Sequence, residues 1–93
     1  MNGKERAMLR KQAQNIQPIV HIGKEGITDN LVIQVKDALK ARELVKCTVQ
    51  QNCELGAREA SEILCELTEA EGISAIGRKF VLYKKSEEKI YSL

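Results

Sequence analysis

Three runs rich in β-branched residues alternate with segments of helical spacing, and this alternation constrains the fold more than any other feature of the sequence. The runs are residues 18–22, 44–50 and 73–76. Strands joined through a helix run parallel, and their crossovers are right-handed. The sequence therefore predicts three strands that point the same way and end at one edge of a sheet.

The first half of the chain predicts two helices around the first strand. Residues 3–15 form one helical segment, and Pro18 ends it because the residue before a proline is pushed toward extended geometry. Proline cannot donate to a strand ladder, so it belongs at the start of the strand that follows. Thr28 is the predicted N-cap of a second helix that runs to Arg42, and Asp29 suits its positive end.

The second half predicts one more helix and a hairpin. Asn52 is the expected N-cap of the third helix and Gly72 its end. Its expected buried stripe is Ala60, Ile63, Leu64 and Leu67. Residues 73–76 and 80–84 read as two strands joined at 77–79. The prediction is an α/β fold over residues 1–93, a single compact domain of order α-β-α-β-α-β-β, with helices packed on a four-stranded mixed sheet.

Parallel strands bring three connections to the same edge. These are residues 23–26, residues 51–52 and the turn at 77–79. Ligands of open α/β sheets favour the region beyond the carboxyl ends of the strands. Lys24, Arg78 and Lys79 should therefore share this edge, and an anion is the ligand that they suit.

The segment Gly23-Lys24-Glu25-Gly26 is the most informative motif for function. Glycine at both ends permits positive φ and close backbone approach, and the exposed amides together with the following helix favour an anion. Lys24 adds a point charge suited to phosphate, whereas Glu25 opposes it. The same four residues also fit a plain strand-to-helix turn, because Gly-x-x-Gly recurs by chance.

Composition sets the class of protein. The chain has 93 residues, of which 43% are hydrophobic and 30% charged, as in a soluble globular domain. No apolar run approaches the roughly 20 residues that cross a bilayer, and no apolar stretch near the start suggests a signal peptide. We therefore expect a cytoplasmic protein with no membrane partner.

The three cysteines point to no cofactor. Cys47, Cys53 and Cys65 form no CxxC pair, and the only histidine, His21, lies far from them in sequence. These spacings do not support a zinc site, and an odd number argues against a disulfide framework. We expect three reduced thiols, no bound metal and no cofactor.

Charge is distributed unevenly along the chain. Residues 54–71 contain six acidic residues and one basic residue, a net charge of −5, which leaves +7 on the rest of a chain whose total is +2. A polyanion would meet the basic part. An alternative function is a protein-interaction adaptor whose acidic third helix docks on a basic partner.

Other polar residues are less informative. Arg10 and Lys11 place positive charge on the first helix, either as part of a binding surface or as a solvated face. The mixed charges at 84–89 predict a solvated tail. His21 is expected to be a partly buried strand residue, because no residue at a suitable spacing could act as its base or nucleophile partner. We therefore expect no enzyme activity and no catalytic residue.

Three separated blocks resemble a known family. They are VHIGKEGIT at 20–28, ARELVK at 41–46 and AIGRKFVLYK at 75–84. Together, in this order, they resemble the CRM domain family, the small RNA-binding domain of bacterial YhbY-like proteins and plant organellar splicing factors. The resemblance extends from about Lys4 to the end of the chain.

The resemblance implies both a fold and a function. It implies a domain similar to the C-terminal domain of bacterial translation initiation factor 3, with RNA backbone bound at the loop Gly23-Lys24-Glu25-Gly26 as in KH domains. Stand-alone bacterial members resemble assembly factors that act on precursors of the large ribosomal subunit, and a single copy matches that type best. We therefore expect a monomer that binds ribosomal RNA or a pre-ribosomal particle.

The few aromatic residues limit how RNA could be bound. Phe80, Tyr83 and Tyr91 are the only ones, and Phe80 is expected in the core. A platform that stacks successive bases on aromatic rings is therefore not expected. Backbone and shape contacts should dominate.

Overall fold

The computed structural model describes residues 1–87, 90 and 91. Seven elements follow in the expected order: α1 (Gly3–Ala13), β1 (Val20–Ile22), α2 (Asp29–Arg42), β2 (Leu44–Val49), α3 (Ala57–Thr68), β3 (Glu71–Ile76) and β4 (Lys79–Tyr83). They form an α/β domain with three helices on one four-stranded mixed sheet, which confirms the predicted fold class. The expected likeness to the C-terminal domain of initiation factor 3 stays a prediction.

The strand directions also match the expectation. The sheet order is β1-β2-β4-β3. β1 and β2 are parallel, whereas β4 is antiparallel to both β2 and β3. The first three strands therefore end at one edge, and β4, the last strand, begins there and fills the place between β2 and β3.

The sheet separates two hydrophobic cores. Side chains alternate between its faces, and α2 and α3 cover one face over Val20, Cys47 and Phe80. α1 covers the other face, where Leu9 and Ala13 pack with a second cluster. That cluster also contains Leu44, Ile73, Val81 and Tyr83.

The first two helices begin at side-chain caps. Asn2 and Glu5 form a reciprocal capping box at the start of α1. Thr28 caps α2 as predicted, because its hydroxyl accepts the backbone N–H of Leu31 at 3.1 Å.

The predicted ends of α3 were wrong. Asn52 lies in a turn closed by the N–H of Cys53 donating to Gln50 at 3.1 Å, and the chain buries Cys53 before the helix begins. The N-cap is Gly56, which has no side-chain cap. Glu69 ends the helix in a left-handed conformation with φ 61°. Gly72 instead belongs to β3, where a Cβ would meet the side chains of Ser61 and Cys65 at 3.4 and 3.5 Å.

Two burial predictions also failed. Leu67 was expected in the buried stripe of α3 but is 49% exposed. The next residue, Thr68, is buried instead, and its hydroxyl donates to the carbonyl of Leu64 at 2.6 Å. His21 was expected to be partly buried and is exposed, because α1 covers a different part of its face of the sheet.

The end of the chain is anchored rather than solvated throughout. Glu43 follows α2 with φ 64° and is fully buried. Its carboxylate accepts the N–H and hydroxyl of Ser86 at 3.0 and 2.6 Å, and the N–H groups of Ile90 and Tyr91 at 3.0 Å each. Lys84, Lys85 and Glu87 are exposed, as the predicted solvated tail requires, but the anchoring of the backbone around them was not predicted. Glu88 and Lys89 lie outside the described residues.

Candidate functional site

The three connections at the carboxyl ends of the strands lie side by side. The N–H of Gln50 donates to the carbonyl of Ile22 at 2.8 Å, and the N–H of Val49 donates to that of Arg78 at 2.7 Å. A Cβ on Gly23 would lie 2.9 Å from Oε1 of Gln50. We call this region, which consists of residues 23–26, 50–56 and 77–79, the loop edge.

The first connection is a tight turn. The N–H of Gly26 donates to the carbonyl of Gly23 at 3.0 Å, which places Lys24 and Glu25 at the exposed tip. Gly26 has φ +71°, a left-handed conformation that costs glycine no steric strain. The turn then leads to Thr28 and the positive amino end of α2, where the Thr28 hydroxyl accepts the N–H of Leu31.

The hairpin turn supplies two further cations. Gly77 has φ +61° and, with Arg78, forms the turn, while Lys79 begins β4 instead of belonging to the turn. The side chains of Arg78 and Lys79 are exposed. Two strand spacings, about 10 Å, separate β1 from β4, so Lys24 and Lys79 lie at one edge as expected.

The cations at the loop edge have no ion-pair partner among the described residues. The ion pair between Arg6 and Glu71, at 3.3 Å, lies at the opposite end of β3, and within the described residues no ion pair involves Lys24, Arg78 or Lys79. Glu25 at the loop tip and Glu54 in the connection after β2 are the acidic residues at the loop edge. The edge therefore keeps three exposed cations against two carboxylates.

The other predicted site residues lie elsewhere. Arg10 and Lys11 are exposed on the last turn of α1. α1 packs with Leu44 and Tyr83, at the end of the sheet opposite the loop edge. The structure thus joins the loop and the hairpin turn, and it does not bring Arg10 and Lys11 to the same edge.

Three exposed acidic residues lie on α3, on the side of the sheet away from α1. α3 exposes Glu59, Glu62 and Glu66 and packs on the face that α1 does not cover. Within the described residues, no cluster of His, Cys, Asp and Glu side chains could hold a metal ion. None of the described helices combines the length and apolar character that crossing a membrane requires.

Sequence reasoning missed the amides that adjoin the loop. The side chains of Gln50 and Asn52 are exposed and lie within 4 Å of the position of a Cβ on Gly23. The predicted clustering of the β2 connection with the Gly-x-x-Gly loop was the signal that could have identified them.

The fold and the loop edge together define a small α/β domain that presents a cationic rim of exposed backbone turns. Residues 1–84 match the model of the CRS1/YhbY (CRM) domain. The chain belongs to this family, which confirms the resemblance seen in its three sequence blocks.

Individual relatives agree with this assignment. The chain is 40% identical over 88 residues to a Bacillus subtilis protein named probable RNA-binding protein YqeI, covering 95% of this chain and 92% of that protein. It is 30% identical over 93 residues to a Haemophilus influenzae protein named RNA-binding protein, covering 95% and 89%. The solution structure of a Staphylococcus aureus protein described as a candidate RNA-binding protein is 41% identical, with a TM-score of 0.79 and coverage of 94% and 91%.

Proposed function

We propose that this chain is a non-enzymatic RNA-binding protein that holds RNA phosphates at the loop edge. The observation that carries the proposal is the convergence of Lys24, Arg78 and Lys79, without ion-pair partners among the described residues, at one rim of exposed turns. Positively charged side chains and backbone amides are the groups that contact nucleic-acid phosphates. The names of the relatives from Bacillus and Haemophilus support RNA as the ligand.

The finer role that we propose is assembly of the large ribosomal subunit on precursor ribosomal RNA in the cytoplasm, with the protein acting as a monomer. This role is what the resemblance to the family's bacterial YhbY-like members implies. The names of the Bacillus and Haemophilus relatives, which the matches cover over most of their length, support the RNA ligand that the role requires.

The phosphate contacts are tested by changing Lys24, Arg78 and Lys79 together to alanine. Three lost phosphate contacts should weaken binding of a structured RNA on the order of a hundredfold at 0.1 M salt and lower the salt slope by about 2–3. The measurement is fluorescence anisotropy over a range of salt concentrations.

A matched variant controls for total charge. Lys36, Lys40 and Lys85 are exposed and flank a groove next to α2 and α3, so their triple alanine variant removes the same charge from a different surface. It should keep most of the affinity. Equal losses in the two triple variants would show that net charge, and not the loop edge, determines binding.

The assembly role needs a measurement in cells. Crosslinking the protein to RNA and sequencing the attached fragments should recover precursor ribosomal RNA of the large subunit. Recovery of intron RNA, or of RNA in proportion to its abundance, would contradict the role while leaving RNA binding intact.

The acidic helix supports a second candidate function. α3 exposes Glu59, Glu62 and Glu66, and an acidic helix surface suits a basic partner protein. Reversing Glu62, Glu66 and Glu69 to lysine should then abolish partner association in pull-downs from cells. Retained association would reject the adaptor function.

A further inference from the structure

A row of four side chains crosses the open part of the sheet next to the loop edge. The strand register pairs His21 with Thr48, Thr48 with Lys79, and Lys79 with Ile76. Paired residues project to the same face, so these four, which we call the open row, span all four strands. Three strand spacings make the row about 14 Å long.

The open row is uncovered in the described part of the chain. α1 lies on the same face but packs with Leu44 and Tyr83 at the far end of the sheet. His21 and Lys79 are exposed, and Ile76 is 78% exposed, the highest value among the large hydrophobic residues of the described chain. Ile76 therefore leaves an apolar surface beside the cationic edge that a ligand held at that edge could contact.

The open row is continuous with the loop edge and shares its charge. Lys79 belongs to both, and the hydroxyl of Thr48 donates to the carbonyl of Arg78 at 3.4 Å. Lys46, two residues before Thr48 on the same strand face, adds a second lysine. No carboxylate belongs to the row, so an anionic chain held at the loop edge could extend over it.

The chemistry of the row favours unpaired nucleotides over a duplex. The imidazole of His21 can stack on a base, and the side chain of Ile76 can pack on a base face, while Lys79 lies between them and suits the backbone. In an A-form duplex the base faces are stacked on one another and only their edges and the phosphates are accessible. Phe80 and Tyr83 are buried, so His21 supplies the aromatic surface here.

We propose that the open row is a base-contacting subsite for an unpaired RNA segment, in which His21 and Ile76 contact bases of the strand whose phosphates lie at the loop edge. This inference rests on the proposed RNA-binding function and assigns it a preference for unpaired RNA. The adjoining phosphate contacts explain why the subsite needs no aromatic platform of the kind that other single-strand binders use.

The preference is tested with two labelled RNAs of the same sequence, one unpaired and one annealed to its complement. The double variant His21→Ala, Ile76→Ser should bind the unpaired RNA about tenfold more weakly and the duplex almost unchanged. Ile33→Ser is the matched control, because Ile33 is also exposed, at 55%, but lies on α2 across the sheet. It should leave both affinities unchanged.

A measurement on the unaltered protein makes the test independent of any folding defect. Adding unpaired RNA should move the δ1 methyl resonance of Ile76 upfield through the ring current of a base, and the methyl of Ile33 should not move. Heparin, a polyanion without bases, should not produce this upfield shift. An equal shift with heparin, or none with RNA, overturns the subsite.

The outcomes separate the subsite from the function it rests on. The subsite is overturned, and the proposed function kept, if the triple variant of Lys24, Arg78 and Lys79 binds RNA weakly while the His21, Ile76 variant binds both RNAs like the wild type. Wild-type binding of both RNAs by the loop-edge variant overturns the proposed function. Equal losses for unpaired and duplex RNA in the His21, Ile76 variant overturn the preference.

Discussion

Replacing Glu43 with glutamine should destabilise the domain, because this buried carboxylate holds the C-terminal segment to the sheet. It accepts hydrogen bonds from Ser86, Ile90 and Tyr91 at 2.6–3.0 Å. Its own carbonyl also accepts the N–H of Lys84 at 3.0 Å. Glutamine would retain one acceptor oxygen and turn an NH₂ group toward donors, leaving part-buried N–H groups unpaired.

The pKa of Glu43 gives the size of the effect. Burial raises this pKa, but the hydrogen bonds from Ser86, Tyr91 and Ile90 outweigh burial and lower the pKa from 4.5 to about 2. A shift of this size corresponds to at most about 3 kcal/mol of folding free energy. For a domain of this length the expected fall in Tm is roughly 10–20 °C.

The pH dependence follows from the direction of the shift. Because the folded pKa lies below the unfolded value, the stabilisation is complete above about pH 5 and is lost as pH falls from 4.5 toward 2. Urea unfolding followed by circular dichroism should therefore show a constant difference between wild type and Glu43→Gln from pH 5 to 7. The difference should shrink at lower pH.

An exposed glutamate provides the control. Glu66 lies on the solvent side of α3, so Glu66→Gln should change the free energy of unfolding by less than about 0.5 kcal/mol. Amide exchange at Ser86, Ile90 and Tyr91 should accelerate only in the Glu43 variant. A free energy of unfolding for Glu43→Gln that stays parallel to wild type down to pH 2 would refute the reasoning.

Three further predictions concern other positions. The hydroxyl of Tyr83 is buried with no hydrogen-bond partner in the described chain, so Tyr83→Phe should raise the free energy of unfolding by about 1 kcal/mol; a loss of stability would show that the hydroxyl is satisfied. A Cβ on Gly26 meets no atom within 4 Å, so the positive φ at this position is what opposes a larger side chain. In urea unfolding, Gly26→Val should therefore lower the free energy of unfolding by about 1–2 kcal/mol. Gly26→Asn should leave the free energy of unfolding nearly unchanged, because asparagine tolerates a positive φ. Burial raises the pKa of the Cys47 thiol to about 12, so iodoacetamide should alkylate the half-buried Cys65 before Cys47 in the folded protein. Mass spectrometry of the peptides measures the order of alkylation. Rapid alkylation of Cys47 without unfolding would contradict this prediction.

The loop edge could be predicted from the sequence because it depends on topology more than on side-chain detail. Helical crossovers force β1, β2 and β3 to be parallel, and this alone brings Lys24 to the same rim as Arg78. The Thr28 cap and the hairpin turn could be predicted from the sequence because each depends on a few adjacent residues.

Features set by distant contacts were not predictable. Glu43 lies between a helix and a strand like any exposed linker residue, and its burial depends on backbone groups more than 40 residues later in the chain. The start of α3 was misplaced because Cys53 packs in the core four residues before the helix begins at Ala57. His21 was misplaced because its exposure depends on where α1 crosses the sheet.

The central place of β4 affects how the protein can be made. β2 and β3 do not pair with each other and are joined only through the strand at 79–83. During synthesis, at about 5–20 residues per second, the sheet stays split in two until this strand leaves the exit tunnel. Because the ribosome encloses the most recently added residues, the sheet can close only after residue 83 has emerged. A chain truncated before residue 79 should therefore be a substrate for proteases.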